Sequence, residues 1–405
     1  MIPATITRRY APILAAALCM PAVAQSNQVG TVQLYAGAET ELPILQARQQ
    51  LTLEFDLLES NGRPLSVWFY HADKNWQRDL TPAEYLTSFQ RDDLFEYRIS
   101  RRTQIQYTHY EYRFPNESVG FRISGNYIVR VTERGREDEV LFERPFFVAE
   151  NLTAPGFELD RLLVEQRNYP SIQPILTFRP PATLFGNVFD YTVCFIRNGQ
   201  FDRPRCTGRP SLVQQPDLLF YLEPEEAFAA EEGGYYVDLS NLVVGARVER
   251  TDRAVSPFEI LLSPDYARFP GGGLDPLLSG QAVIGDADRF VGDADHEGEY
   301  VQVTFRYAPP DEVPLPGPIY VVGSFSVQDA ADILEWNPST RFYEGRILLK
   351  QGRYEYRYTS PNAEVRRRIT ARLPRPDNLY TAFIYYRDTS LQTDRLLGFR
   401  HALSR

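Results

Sequence analysis

Apolar and polar residues alternate over short stretches along most of the chain. Residues 51–57 place Leu51 and Phe55 on one face of a strand, because successive side chains of a strand point to opposite faces. Residues 300–307 show the same alternation. Runs of this kind recur throughout, separated by Gly, Pro and Asn, and this pattern is typical of all-β sandwiches.

We predict an all-β fold of three tandem immunoglobulin-like or early-set β-sandwich domains. A stretch rich in Gly and Asp precedes the last set of strands, which resembles the early-set modules found beside starch- and glycogen-acting enzymes. A further strand at residues 379–386 is expected at a sheet edge. The predicted boundaries are a signal peptide at 1–24, sandwiches at 25–150 and 151–262, a linker at 263–297 and a sandwich at 298–405.

The first 24 residues have the pattern of a secretory signal peptide. Arg8 and Arg9 precede an apolar run at residues 13–20, and Ala22–Ala24 form a small-residue cleavage site. The apolar run is too short to span a bilayer. We therefore expect an exported protein without a transmembrane segment.

The least generic stretch of the chain is residues 67–89. Residues 68–70 favour a strand with no polar face, as in central strands that are covered on both sides. A polar loop follows, and then a helix signal. Thr81 can cap the helix, Pro82 suits its first position, and Glu84 completes a capping box.

The order of residues in this stretch resembles the plug protein of the bacterial type IX secretion system. In that family the first domain has a strand ending in Phe-x-His/Tyr-x-Asp, followed by a Trp, by Leu-x-x-x-Glu-Tyr and by a Phe. The matching residues here are Phe69, His71, Asp73, Trp76, Leu80, Glu84, Tyr85 and Phe89. Further matches lie at Tyr107, Thr108, Tyr110, 114–116, 124–127, 348–356 and 394–399, so the resemblance covers nearly all of the mature chain.

The resemblance implies a non-enzymatic protein of the periplasm, associated with the inner face of the outer membrane. Members of the family bind the periplasmic opening of a large outer-membrane translocon barrel and occlude it while no substrate is loaded. We predict no cofactor, no bound metal and no small-molecule substrate. Loops at the end of a sandwich suit such a contact, and the predicted partner-binding residues are Asp73, Trp76, Leu80, Glu84, Tyr85 and Phe89.

The charge of the chain argues against nucleic-acid binding. The formal net charge is −10 at pH 7, whereas non-specific binding to nucleic acid depends on basic residues that match phosphates. Among the 43 basic residues, Lys74 and Lys350 are the only lysines.

Cys194 and Cys206 are the cysteines outside the predicted signal peptide. The sequence Arg197-Asn198-Gly199-Gln200 between them is typical of a hairpin turn, which brings two strands together. An oxidising compartment then permits a disulfide. The alternative is two buried free thiols.

The sequence contains no nucleophile elbow, P-loop, zincin helix or dinucleotide fingerprint. His71 and Asp73 share one strand face and are the best local candidates for a hydrolase, although we favour their binding loop backbone. Asp293, Asp295 and Glu297 imitate the start of a calcium loop, but position twelve is Thr304. We favour a solvated acidic connector.

An alternative function is that of a periplasmic or surface polysaccharide-binding protein. Tyr354, Tyr356 and Tyr358 share one strand face in the last domain and can form a platform for sugar rings. A tyrosine ladder packed in the core is the more common arrangement. Retention on starch or glycogen in affinity electrophoresis distinguishes this function from that of a plug.

Overall fold

The computed structural model describes residues 29–163, 169–184, 187–214, 216–245, 247–268, 277–285, 294–326, 332–373 and 376–404. The predicted signal peptide, 1–24, lies outside these ranges. Strands dominate the regular structure, so the all-β prediction is confirmed.

The strands of the first domain follow one another with a single helical turn between them. They are β1 (Val29–Ala36), β2 (Ile44–Leu45), β3 (Leu51–Leu57), β4 (Leu65–Ala72), α1 (Pro82–Tyr85), β5 (Arg91–Leu94), β6 (Arg98–Ile99), β7 (Thr108–Phe114), β8 (Gly125–Glu133) and β9 (Val140–Val148). They form two sheets, ordered β1-β3-β7-β6 and β2-β9-β8-β4-β5. The inward apolar residues predicted from alternation, Leu51 and Phe55, pack in the core between the sheets.

The middle of the chain contains shorter strands and three 3₁₀ turns at Ala182–Leu184, Val188–Asp190 and Pro224–Glu226. The strands are β10 (Gly156–Leu163), β11 (Pro170–Phe178), β12 (Tyr191–Arg197), β13 (Arg205–Thr207), β14 (Leu212–Gln214), β15 (Asp217–Tyr221), β16 (Phe228–Ala229), β17 (Tyr235–Asp238), β18 (Val248–Asp252) and β19 (Glu259–Leu262).

The remainder holds longer strands and two further helices. The elements are β20 (Asp265–Tyr266), β21 (Ala282–Ile284), α2 (Ala294–Glu297), β22 (Tyr300–Ala308), β23 (Ile319–Gly323), β24 (Asp332–Asn337), β25 (Phe342–Lys350), β26 (Gly352–Thr359), α3 (Ala363–Ile369), β27 (Asn378–Asp388) and β28 (Thr393–Ser404).

Strand pairing crosses the predicted domain boundaries and corrects them. The second sandwich combines a sheet built on β10, β11, β15, β14 and β16 with the sheet β13-β12-β27-β28, whose last two strands come from the end of the chain. The third body is a ten-stranded sheet that takes in β17 to β19 from the predicted second domain. Two segments of the predicted linker also pair, β20 with β22 and β21 with β26. Alternation predicts strands but does not specify their distant partners.

The strand predicted at a sheet edge, 379–386, lies instead inside a sheet. β27 pairs with β12 on one side and with β28 on the other. Ile384 and Tyr380 of β27 are buried with Val193 and Phe195 of β12 in the core of the second sandwich. The apolar content of β27 reflects this central position.

Candidate functional site

The strand that begins the 67–89 stretch is central, as predicted. β4 lies between β8 and β5, and Val67 and Phe69 are fully buried. α1 follows, and the Glu84 carboxylate accepts hydrogen bonds of 2.7 Å from both the N–H and the hydroxyl of Thr81. The capping interaction therefore fixes the entry of the chain into this turn.

The loop between β4 and α1 packs against the second sandwich. The Asp73 carboxylate accepts hydrogen bonds of 2.9 Å from the backbone N–H groups of Asn75 and Gln77, which closes the loop. The Trp76 ring then lies 5.4 Å from that of Phe147, which stacks at 4.6 Å on Phe383 of β27. Trp76 thus belongs to an interdomain contact.

Polar bonds reinforce this contact, which we call the β28 junction (residues 71–79 with 393–394). His71 Nδ1 lies 2.7 Å from Asp79 Oδ1, and the Thr393 hydroxyl donates to the other oxygen of Asp79. Lys74 Nζ lies 3.2 Å from both carboxylate oxygens of Asp394. Burial raises the pKa of Asp79, but the hydrogen bonds from His71 and Thr393 outweigh it and leave that pKa below its usual value.

The six predicted partner-binding residues therefore fall into a buried or internally bonded group and an exposed group. Tyr85 is 1% exposed and donates a 2.8 Å hydrogen bond to the Phe69 carbonyl, so it is unavailable to a partner. Leu80 packs partly against the core of the first domain. Asp73 closes its own loop through hydrogen bonds, and Trp76 packs at the β28 junction. Glu84 is exposed, and Phe89 is 84% exposed.

Phe89 begins an exposed apolar stretch that connects the two sheets of the first domain. Phe95, Tyr97 and Ile99 are also exposed, and all four lie within residues 89–99, which we call the 89–99 stretch. Its strands, β5 and β6, are the edge strands of their sheets. An exposed apolar segment beside unpaired strand edges is typical of a protein-binding surface.

A second junction joins the first domain to the third body, and we call it the Asp56 junction. Lys350 Nζ lies 2.8 Å from Asp56 Oδ2, and the Tyr300 hydroxyl donates to the same oxygen at 2.7 Å. His109 Nδ1 lies 2.8 Å from Asp56 Oδ1. The Lys350 ammonium also lies 4.2 Å from the centre of the Tyr107 ring. Burial raises the pKa of Asp56, but Lys350 and His109 outweigh it and keep that pKa below its usual value.

Further acids surround the Asp56 junction. One ligand atom each of Glu54, His109 and Asp295 lies within 4.8 Å of the others. Burial raises the pKa of Glu39 to about 7, with Glu54 adding to the effect, and burial together with Asp295 raises that of Glu54. The sequence carries no signal for this group, because Glu54 and His109 lie on strand faces that alternation leaves polar and Asp295 is far away in the chain.

The structure does not assemble the residues that a hydrolase or a sugar-binding protein would need at the other candidate sites. His71 is buried against Asp79 and Asp73 binds backbone, so the two do not form the pair that a hydrolase would use. Tyr354, Tyr356 and Tyr358 are buried in the core of the third body, which removes the proposed sugar platform. The start of the calcium-like pattern, Asp293, lies outside the described residues.

Cys194 and Cys206 form a disulfide between the paired strands β12 and β13. Cys194 is the cross-strand partner of Phe383 and lies in the apolar cluster against which Trp76 packs, beside the β28 junction. In the part of the chain that the structure describes, no helix has the length and apolar character needed to cross a membrane.

A solved structure resembles the chain over nearly all of its length. The crystal structure of a hypothetical protein from Parabacteroides merdae is 25% identical, covers 94% of this chain and 98% of that chain, and superposes with a TM-score of 0.83. The partial N-terminal region of an enterococcal surface protein is 7% identical over 95% of this chain and 96% of that chain, and its TM-score of 0.20 supports no structural argument.

A comparison with protein families gives a more specific result. A search of curated proteins finds no match. Residues 29–150 match the family model described as the type 9 secretion system plug protein 1st domain. This range coincides with the two sheets β1 to β9 and contains the stretch on which the predicted resemblance depends. The resemblance is confirmed: over residues 29–150 the chain carries the first domain of the type 9 secretion system plug proteins.

Proposed function

We propose that this protein is a non-enzymatic periplasmic component of the type IX secretion system that binds the outer-membrane translocon barrel and occludes its periplasmic opening. The observation that carries the proposal is the family match over residues 29–150. The location at the inner face of the outer membrane is part of the same proposal.

The way the domains are joined supports a role as a rigid stopper. Domains in one chain move relative to each other by default unless their interface is large and hydrophobic. The apolar cluster around Phe147 extends from the first domain into the second sandwich. Here the first domain is bonded to β28 through Lys74 and Asp394, and to β25 through Lys350 and Asp56. Both lysines of the chain therefore lie in ion pairs that join the first domain to another body.

The 89–99 stretch is a better candidate for the contact surface than the predicted set of residues, with which it shares Phe89. It offers the aromatic side chains of Phe89, Phe95 and Tyr97, which suit the centre of an interface. Charged residues such as Arg91 and Glu96 are exposed among them and can provide a polar rim. A moderate, polar-rimmed interface fits a plug that must be released when substrate is loaded.

Co-isolation of the translocon tests this proposal. We expect tagged wild-type protein to recover the barrel from detergent-solubilised envelope, detected by mass spectrometry. The double variant F89S/I99S removes two exposed apolar side chains and should reduce recovery at least tenfold. F189S is the matched control, because Phe189 is 64% exposed but lies in the second sandwich.

Different outcomes of this experiment test the proposed function and the proposed contact surface. Failure of the wild-type protein to recover the barrel, under conditions that preserve other translocon partners, contradicts the proposed function. Recovery by F89S/I99S equal to that by wild type contradicts the proposed surface. The tyrosines that would have formed a sugar-binding platform are buried in the core, so we do not propose polysaccharide binding as a second function.

A further inference from the structure

Glu54, His109 and Asp295 converge at the Asp56 junction from two different bodies. Glu54 on β3 and His109 on β7 lie on the outer face of the first domain, because Asp56 is the direct cross-strand partner of His109 and Glu54 lies two residues before Asp56. Asp295 comes from α2, just before β22 of the third body. We propose that these three side chains bind a zinc ion that fastens the first domain to the third body.

The position of His109 suits a metal ligand. Its Nδ1 lies 2.8 Å from a carboxylate oxygen of Asp56, which is 1% exposed. A carboxylate that accepts the Nδ1 proton fixes the ring and its tautomer, so that Nε2 carries the lone pair for a metal. Asp56 thus acts as the orienting partner and not as a ligand, since Lys350 and Tyr300 occupy its other oxygen.

The charges around the group leave room for a divalent cation. The carboxylates that interact here are those of Glu39, Glu54, Asp56, Glu111 and Asp295, and the cations that face them are Lys350 and Arg353. With His109 neutral, as a metal ligand must be, the acidic groups outnumber the basic ones. A divalent ion reduces this excess of negative charge without a further basic residue.

The ligand types favour zinc over calcium or magnesium. Calcium and magnesium take oxygen ligands, whereas one imidazole and two carboxylates are a donor set that zinc accepts with tetrahedral geometry. Ligand atoms of a tetrahedral zinc site, at about 2.1 Å from the metal, lie roughly 3.4 Å apart. The group spans up to 4.8 Å, so small side-chain rotations close it around an ion.

The inference is independent of the proposed plugging function, and it is tested on the purified full chain. After treatment with a chelator, the protein is titrated with zinc chloride by calorimetry and its thermal unfolding is followed with and without zinc. We expect one zinc ion per chain and a higher midpoint of unfolding with zinc. Cobalt in place of zinc should give the intense visible absorption of a four-coordinate site.

Two single variants and one control identify the ligands. E54Q and D295N should each weaken zinc binding at least tenfold, and D295N is the milder change because Asp295 is only half-buried. E111Q is the control, since Glu111 is the exposed cross-strand neighbour of Glu54. Circular dichroism checks that each variant folds.

The proposal is overturned if the chelated wild-type protein binds no zinc. It is overturned equally if folded D295N binds zinc as tightly as wild type, or if calcium binds as tightly as zinc.

Discussion

The ammonium of Lys350 lies 2.8 Å from the carboxylate of Asp56, and both side chains are 1% exposed. Lys350 belongs to β25 and Asp56 to β3, so this ion pair joins two separate bodies across 294 positions of sequence. A buried ion pair is a weak source of net stability, but removing one partner is strongly destabilising because it leaves a buried charge unpaired. We interpret it as the bond that sets the position of the first domain on the third body.

Replacing Lys350 by Met should destabilise the protein by about 3–5 kcal/mol, because the buried Asp56 carboxylate loses its cation. Urea unfolding measures the change. R136M is the control, since the ion pair of Arg136 with Glu139 is exposed, and it should cost less than about 1 kcal/mol.

A second variant separates the charge from the packing. K350M/D56N should recover part of the loss, because the Asn amide is neutral and still accepts from the Tyr300 hydroxyl. A K350M variant as stable as wild type would show that Asp56 does not depend on this partner.

The β28 junction should weaken in acid. The pKa of Asp79 is lowered in the folded protein by His71 and Thr393 despite burial, so its contribution is complete above the unfolded pKa of about 3.9. That contribution is lost as the pH falls through the lower folded value. D79N should therefore be less stable than wild type at pH 7 by about 1–3 kcal/mol, with the difference shrinking at low pH.

Urea unfolding measured from neutral to acid pH checks this dependence. E117Q changes an exposed acid of the same domain and should leave the pH profile unchanged. A constant gap between D79N and wild type at all pH values would contradict the account.

Gly125 should resist substitution because β8 passes close to the β28 junction. Its φ is 144°, and an added Cβ would lie 2.6 Å from His71 Nε2 and 3.0 Å from the Asp394 carbonyl oxygen. We expect G125A to cost on the order of 2–4 kcal/mol through overpacking and backbone strain. Differential scanning calorimetry measures the loss.

Gly135 provides the comparison for backbone strain alone. Its φ is 73°, and an added Cβ would meet no atom within 4 Å. G135A should cost about 1–2 kcal/mol. Equal effects of G125A and G135A would mean that the contact with His71 carries no energy.

The disulfide should stabilise the second sandwich. Closing the short loop between Cys194 and Cys206 contributes about 3 kcal/mol on the chain-entropy model. The double variant C194S/C206S should unfold at correspondingly lower urea, while thiol alkylation of the unreduced wild-type protein should label neither cysteine. Labelling of both before reduction would contradict the bond.

The sequence predicts individual strands well because alternation reflects burial on one face. Alternation correctly places Leu51 and Phe55 of β3 in a core. The same rule assigns Glu54 and Asp56 to a solvent-facing side, yet both are buried beneath the third body. Alternation describes a two-layer sandwich and contains no information about a third layer that covers the outer face.

Long-range pairing explains the remaining differences. β27 and β28 complete the second sandwich although Tyr191 of β12 and its partner Tyr386 lie far apart in the sequence. Trp76 and Tyr85 match the pattern of the plug family, but they are not exposed contact residues. An aromatic residue in a loop can be a buried anchor as readily as an exposed contact. Phe89 was the one aromatic among the predicted contact residues that the structure leaves exposed.

Envelope permeability tests the proposed occlusion most directly. A strain that lacks the gene for this protein is compared with its parent for entry of a large antibiotic that an intact outer membrane excludes. We expect entry to rise in the deletion strain, to return to normal with the wild-type gene, and not to rise when the translocon gene is deleted as well. Unchanged entry in the single deletion, or an equal rise without the translocon, would contradict a plug.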